Sequence, residues 1–320
     1  MTELAKIETA IPVEIEAGAL ATLQRHAAAA RGTERALRAD VAIFTAWCSD
    51  AGETALPAAA ATVAAFIDAM AALKATATVR RYISSVATFH RAAGVANPCE
   101  TQAVKLALKR MHRERGRAQA QAAPVNDVLV ARMLAAAGDT LRHRRNRALL
   151  AVAYSTLCRR SELVVLRRAD LQVDAEGFGT ITIRRSKTDQ EGLGDVAPIA
   201  ADAMRHLAGW IQAAGVTDGK LFRTVLKGGR VGDALDSGDV ARIFKAMAQA
   251  ANLTAAEVAG ISGHSTRVGA AQDMVRYCVD LVGAMQAGRW KTSAMVARYS
   301  ARLLAKRGGM AQIADRRVQF

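Results

Sequence analysis

Aromatic residues make up only 4% of this 320-residue chain, and just five prolines are scattered along its length. Few helix breakers leave helix as the dominant element, the more so because much of the 51% hydrophobic content is alanine. Cysteine is equally scarce. Cys48, Cys99, Cys158 and Cys278 stand far apart, with no Cys-x-x-Cys pair and no paired histidine spacing. The spacing excludes a disulfide framework, argues against a zinc site, and reads as reduced thiols in a reducing compartment. Long apolar runs are missing too: the stretch from Thr54 to Ile67 stays uncharged for 14 residues before Asp68 ends it, short of the roughly 20 that span a bilayer. Met1 to Gln24 holds four glutamates and no basic-then-apolar order, so no secretory signal is expected there. These absences predict a cytoplasmic, nucleoid-associated protein without membrane contact.

What the chain has in excess is positive charge. Forty-four Lys and Arg face 29 Asp and Glu, a net +15, which suits a polyanionic partner such as nucleic acid or an acidic membrane surface. Up to Pro124 the excess is +4 and beyond it +11, so it is not a detachable basic tail. At about 150 residues per domain, the length predicts roughly two domains. Within 17–117 apolar residues recur at helical spacing, as in Val79, Tyr82, Ile83, Val86 and Phe89, and four or five short helices fit that span. Thr33, Pro57 and Asn97-Pro98 mark their starts or breaks. The stretch 118–126 has no large hydrophobe before Val125 and carries Pro124, the makeup of an extended linker. Beyond it the pattern predicts helices over 127–137, 141–158 and 161–168. A β segment at 180–184, a turn at 189–195 and a second strand at 196–199 follow, then helix almost to the end.

Between Lys74 and Arg117, ten basic residues stand among two acidic ones. Lys105, Lys109 and Arg113 fall at i, i+4 and i+8 on one helix face, with Arg80 and Arg81 one helix earlier. Like charges that crowded repel unless an anion screens them, so these five are candidate phosphate contacts. Two other basic stretches have plainer readings. The Gly-rich 227–238, with KGGRVGD, lacks the spaced Gly-Lys-Ser/Thr of a nucleotide loop and reads as a turn. RHRRNR, Arg142 to Arg147, opens an apolar helix and reads as its solvated first turn.

The most informative segment is SGHSTRVGAA, from Ser262 to Ala271. Gly263 allows a tight turn, Ser265 or Thr266 can cap the next helix, and His264 and Arg267 sit at that helix's amino end, where unpaired N–H groups attract anions. Four more stretches join it: TLCRRSEL around Arg159 and Glu162, RRSKT around Lys187, AGRW ending at Trp290, and VARYS around Tyr299. Their order, Arg, Lys, His-x-x-Arg, Trp, Tyr, resembles the signature of the tyrosine site-specific recombinases, the phage integrase family. The resemblance covers about Arg145 to Tyr299 and implies a mainly α fold. A tail at 1–16 leads to a helical core-binding domain at 17–117. The linker at 118–126 joins it to a mostly α catalytic domain with a small β-sheet at 127–320.

The chemistry explains the residue types. A phosphodiester under attack gains charge on its non-bridging oxygens, and fixed cations stabilise that state most. Arginine never loses its charge, and its planar fork holds two oxygens at once. By resemblance Arg159 and Arg267 are that pair, with His264 and the Trp290 indole N–H donating further hydrogen bonds. Tyr299 is the implied nucleophile. An unperturbed phenol has a pKa near 10, so only about one in 10³ is ionised at pH 7, and a proton acceptor is needed. His264 can be that acceptor, but the base is left unassigned. Lys187, at the tip of the predicted hairpin, is implied as the acid that protonates the departing 5′-oxygen, and Glu162 as an orienting carboxylate. The same resemblance implies a 3′-phosphotyrosine intermediate at inverted-repeat sites, with no cofactor, metal or nucleotide. It also implies a homotetramer on two double-stranded DNA sites, joined through a tail helix at about 309–315. Two rival classes stay open: a type IB topoisomerase and a non-catalytic DNA-binding protein.

Overall fold

The computed structural model describes residues 31–118, 121–184, 194–307, 310 and 313–314. The chain forms two compact units that divide between Ala120 and Gln121.

The described part of the first unit is helical: α1 (Arg31–Asp50), α2 (Ala60–Leu73), α3 (Thr76–Ala92), a 3₁₀ turn at Pro98–Glu100, and α4 (Gln102–Arg115). Apolar side chains at helical spacing turn inward, and Phe44, Val63, Phe66, Ile67, Val79, Val86 and Val104 are fully buried together. Phe44 meets Phe66 edge-on at 5.0 Å, a geometry worth about 0.5–1.5 kcal/mol beyond burial. Asn97 caps the 3₁₀ turn, Thr101 caps α4, and Gly116, at φ 73°, ends it. Thr33, suggested by the sequence as a helix start, lies within the first described helix, Arg31–Asp50.

In the second unit the next helices are α5 (Asp127–Ala136), α6 (Leu141–Thr156) and the one-turn α7 (Arg160–Leu163). An antiparallel sheet follows in the order β1 (Leu171–Val173), β2 (Gly179–Ile183), β3 (Asp195–Ile199), with Leu171 opposite Ile181 and Ile181 opposite Ala197. The rest is helical: α8 (Ala201–Ala214), α9 (Ser237–Ala250), α10 (Ala255–Gly260), α11 (Ser265–Arg276), α12 (Leu281–Gly288) and α13 (Ser293–Arg307). The core forms around α6, where Leu149, Leu150 and Val152 are fully buried with Trp210 of α8 and Ile199 of β3. A smaller apolar cluster of Leu157, Val268, Ala271, Trp290, Val296 and Tyr299 joins the end of α6 to α11 and α13.

Three local readings are corrected. The helix expected over 161–168 stops at Leu163, because the Leu166 carbonyl accepts from the Leu221 N–H and the Arg168 N–H donates to the Gly219 carbonyl, drawing the chain into extended pairing. Arg145 and Asn146, expected in a solvated first turn, are buried. The α6 helix is enclosed on nearly every side, and Arg145 donates to Asn146 Oδ1 at 2.8 Å and to the Arg223 carbonyl at 3.3 Å. The three-residue β1 was not foreseen. Residues 121–126 run along the second unit: Ala123 N–H donates to the Gly260 carbonyl and Val125 N–H to the Ser265 carbonyl. Gly269 permits that approach, since a Cβ there would collide with the Val125 carbonyl.

Candidate active site

The end of α6 begins the site. Leu157 takes the left-handed conformation (φ 51°) and turns the chain sharply, so that Arg159 becomes the residue just before α7. Glu162, three residues on and buried, folds back on it. Its Oε1 accepts from Arg159 Nη1 at 2.6 Å, and its Oε2 accepts from the Arg159 backbone N–H at 2.9 Å. The fork of Arg159 is thereby held by a charge-assisted bond.

The turn before α11 supplies the next groups. Ser265 Oγ accepts from Ser262 N–H at 2.9 Å and Ser262 Oγ from His264 N–H at 3.1 Å, fixing the backbone that aims His264. Arg267, in the first turn of α11, is 1% exposed. Its two terminal nitrogens donate to the carbonyls of Leu157 and Gly288, and its guanidinium carbon lies 5.2 Å from the Trp290 ring, a cation–π contact. Burial first, then the neighbouring Arg159, lowers its pKa to about 10, so it stays charged at neutral pH.

Tyr299 sits on α13, 8% exposed. Gln272 holds its backbone carbonyl at 3.1 Å, and Trp290 lies against its ring at 5.4 Å between centroids. Its hydroxyl is 2.8 Å from His264 Nε2. Burial, reinforced by Arg267, Arg159 and Arg298, drives the His264 pKa down to about 4. The imidazole is therefore neutral at pH 7, and its Nε2 can accept the phenolic proton. The Trp290 indole N–H is buried with no hydrogen-bond partner among the described residues, an expensive state that an arriving acceptor relieves.

Arg159, Glu162, His264, Arg267, Trp290 and Tyr299 are thus brought into one connected cluster. Lys187 lies outside the described residues, as does most of the tail helix expected at 309–315. In the first unit Arg80, Arg81, Lys105, Lys109 and Arg113 are all exposed, but Arg81 is engaged by the buried Asp40 through bonds of 2.9 and 2.8 Å. Sequence reasoning missed Arg289. It lay inside the AGRW stretch, and the structure puts its side chain beside Glu162 at 3.0 Å. Of the other tyrosines, Tyr82 is buried in the first unit's core, while Tyr154 and Tyr277 donate to Asp273 and Asp127.

A family model described as the phage integrase family matches residues 126–305. The chain belongs to that family, the tyrosine recombinases, enzymes that break and rejoin DNA. It is 29% identical to the recombinase Cre of Escherichia phage P1 over 257 residues, 75% of each chain. To an integrase/recombinase XerD homologue of Selenomonas ruminantium it is 30% identical over 284 residues, 84% of this chain and 81% of that one. Its fold is similar to that of the XerH site-specific recombinase bound to a palindromic difH substrate in a post-cleavage complex. The TM-score there is 0.65 at 16% identity, covering 87% of this chain and 80% of the other. A lambda integrase tetramer bound to a Holliday junction matches with a TM-score of 0.52 at 16% identity, over 75% and 64%. The resemblance to the family, and to Cre within it, agrees with these findings.

Proposed function

We propose that this chain is a site-specific DNA recombinase whose Tyr299 forms a 3′-phosphotyrosine with the cleaved strand. The observation that carries the reading is the Tyr299 hydroxyl held 2.8 Å from a His264 nitrogen that is neutral at pH 7, in a cluster with Arg267 and Arg159. In the forward step the phenolic oxygen bonds to phosphorus, its proton passes to His264 Nε2, and the bond to the 5′-oxygen breaks. Lys187, by family resemblance, gives that oxygen its proton. Arg159, Arg267 and the Trp290 N–H hold the non-bridging oxygens while negative charge builds on them. The phosphotyrosine keeps the energy of the broken ester, so a 5′-hydroxyl from a second duplex reverses the step and seals a new junction without a nucleotide.

Around this chemistry stand wider proposals. Arg80, Lys105, Lys109 and Arg113 contact backbone phosphates of double-stranded DNA. Four chains assemble on two inverted-repeat sites through the 309–315 tail helix, in the cytoplasm with the nucleoid. Met310 and Ile313, both exposed and apolar, suit such a contact. A chain ending at Lys306 is expected to bind one site normally and to fail to pair two in a gel-shift assay; full recombination by it removes the tail from the assembly.

The deciding experiment uses a nicked suicide duplex. Wild-type protein is expected to remain covalently attached to DNA through denaturing electrophoresis, and Tyr299→Phe to leave none. Attachment by the phenylalanine variant rejects Tyr299 as nucleophile. Relaxation of supercoiled plasmid by monomers, without a preferred site, assigns the topoisomerase class instead.

A further inference from the structure

The structure assigns a role to Arg289 that the family signature does not: we propose that it is a positioning residue that locks the Glu162 carboxylate and, through it, the Arg159 fork. Arg289 follows α12 and precedes Trp290. It adopts the left-handed conformation, φ 51° and ψ 47°, where glycine is the ordinary occupant. An arginine held there by surrounding contacts is a strained residue of the kind that collects at functional centres.

Its side chain does not escape to solvent, as exposed arginines do, but is only 6% exposed. Nη1 donates to the Thr156 carbonyl at 3.0 Å, and Nη2 donates to Glu162 Oε2 at 3.0 Å and to the Leu157 carbonyl at 3.4 Å. Nε makes no hydrogen bond among the described residues and has Asp195 Oδ2, at the start of β3, 3.8 Å away.

Two consequences follow from this geometry. First, each Glu162 oxygen is occupied: Oε1 by Arg159 Nη1, Oε2 by Arg159 N–H and Arg289 Nη2. The carboxylate cannot rotate without breaking a charge-assisted bond, so Arg159 has one seat. Second, the Leu157 carbonyl accepts from both Arg267 and Arg289. The two arginines of the phosphate centre are therefore coupled through a third that is buried among protein groups. Two guanidinium groups, of Arg159 and Arg289, bond the one carboxylate, and Arg267 joins them only through the shared Leu157 carbonyl, so the centre keeps a net positive charge for an arriving phosphodiester. Gly288 makes the arrangement possible, since a Cβ there would run into the Trp290 ring.

The proposal rests on the reading of Arg159 and Glu162 as part of the phosphate centre. Its test compares Arg289→Gly and Arg289→Lys with wild type and Tyr299→Phe, in single-turnover cleavage of a suicide duplex, DNA affinity and thermal melting. Glycine relieves the backbone and removes the clamp. Arg289→Gly is therefore expected to cleave roughly 10- to 100-fold more slowly, as losing an outer partner of a catalytic group commonly does. Its DNA affinity is expected to stay within about threefold, because the guanidinium is buried and spends its hydrogen bonds on protein carbonyls and Glu162. Arg289→Lys, which keeps a cation near Glu162, is expected to recover part of the lost rate. Wild-type cleavage by Arg289→Gly overturns the proposal. So does a loss of rate matched by an equal loss of folded, DNA-binding protein, with lysine giving no recovery. A wild-type chain that never attaches to DNA overturns the underlying reading and this proposal together, whereas normal wild-type attachment beside an equally fast Arg289→Gly overturns this proposal alone.

Discussion

At the scale of single residues, the buried indole N–H of Trp290 separates two roles that one side chain plays. The ring packs against both Arg267 and Tyr299, and the N–H has no hydrogen-bond partner among the described residues. Trp290→Phe keeps most of the apolar contact and deletes the donor. If that donor meets a phosphate oxygen as charge develops, cleavage falls by about 10²-fold while the melting temperature changes little. A variant that melts much earlier and cleaves at the rate of its folded fraction shows packing alone. The same residue illustrates what sequence could supply. Tryptophan and tyrosine nine apart were legible through the order of the motif, and their packing is geometry the motif implies. Arg289 was not legible, because an arginine in a left-handed position gives no pattern in the chain, and its contacts join residues more than a hundred positions apart.

At the scale of elements, periodicity located most helices but not their ends. The Val79, Tyr82, Ile83, Val86 and Phe89 stripe is buried on α3, as its spacing requires. The failures share a cause, which is tertiary pairing overriding local preference. Helix α7 stops after one turn because the 219–221 backbone offers partners, and strand β1 exists only because β2 lies beside it. Arg145 is buried because α6 is central, and a charge run read along the sequence carries no sign of that. On α4 the stripe at Lys105, Lys109 and Arg113 stays in solvent, available to phosphate. Replacing all three with alanine is expected to weaken binding similarly for every DNA sequence. It should also reduce the slope of log affinity against log salt by about 2 to 3, near 0.9 per lost contact. An unchanged slope places the duplex elsewhere.

At the scale of the whole molecule, the buried titratable groups fix the pH range in which the fold holds. Burial lowers the pKa of His90, His112 and His206, and takes His264 to about 4. His90 shows the reason: its Nε2 accepts the Ala58 N–H at 2.9 Å while Nδ1 faces the Val86 carbonyl at 2.9 Å, so a second proton would break the first bond. Below the ordinary value of 6.5 the unfolded chain takes up protons that these folded imidazoles refuse. The stability they confer is therefore complete above pH 6.5 and is lost as pH falls toward 4. Asp273, raised by burial, acts in the opposite sense and softens the loss. Thiols set the other limb. Burial raises Cys48 to about 12 and Cys99 to about 11 from 9.0, so above pH 9 the unfolded chain releases protons that the folded chain keeps, and stability falls as pH rises. Urea titrations are expected to give a midpoint that is flat between about pH 7 and 8.5 and declines on both sides. His90→Gln lowers the midpoint at pH 7, because the Ala58 N–H loses its imidazole acceptor, yet it flattens the decline from pH 7 to 5, because one refusing group is gone. A midpoint that holds steady down to pH 5 in the wild-type protein shows that the histidines titrate alike in both states, and removes burial as the source of acid sensitivity.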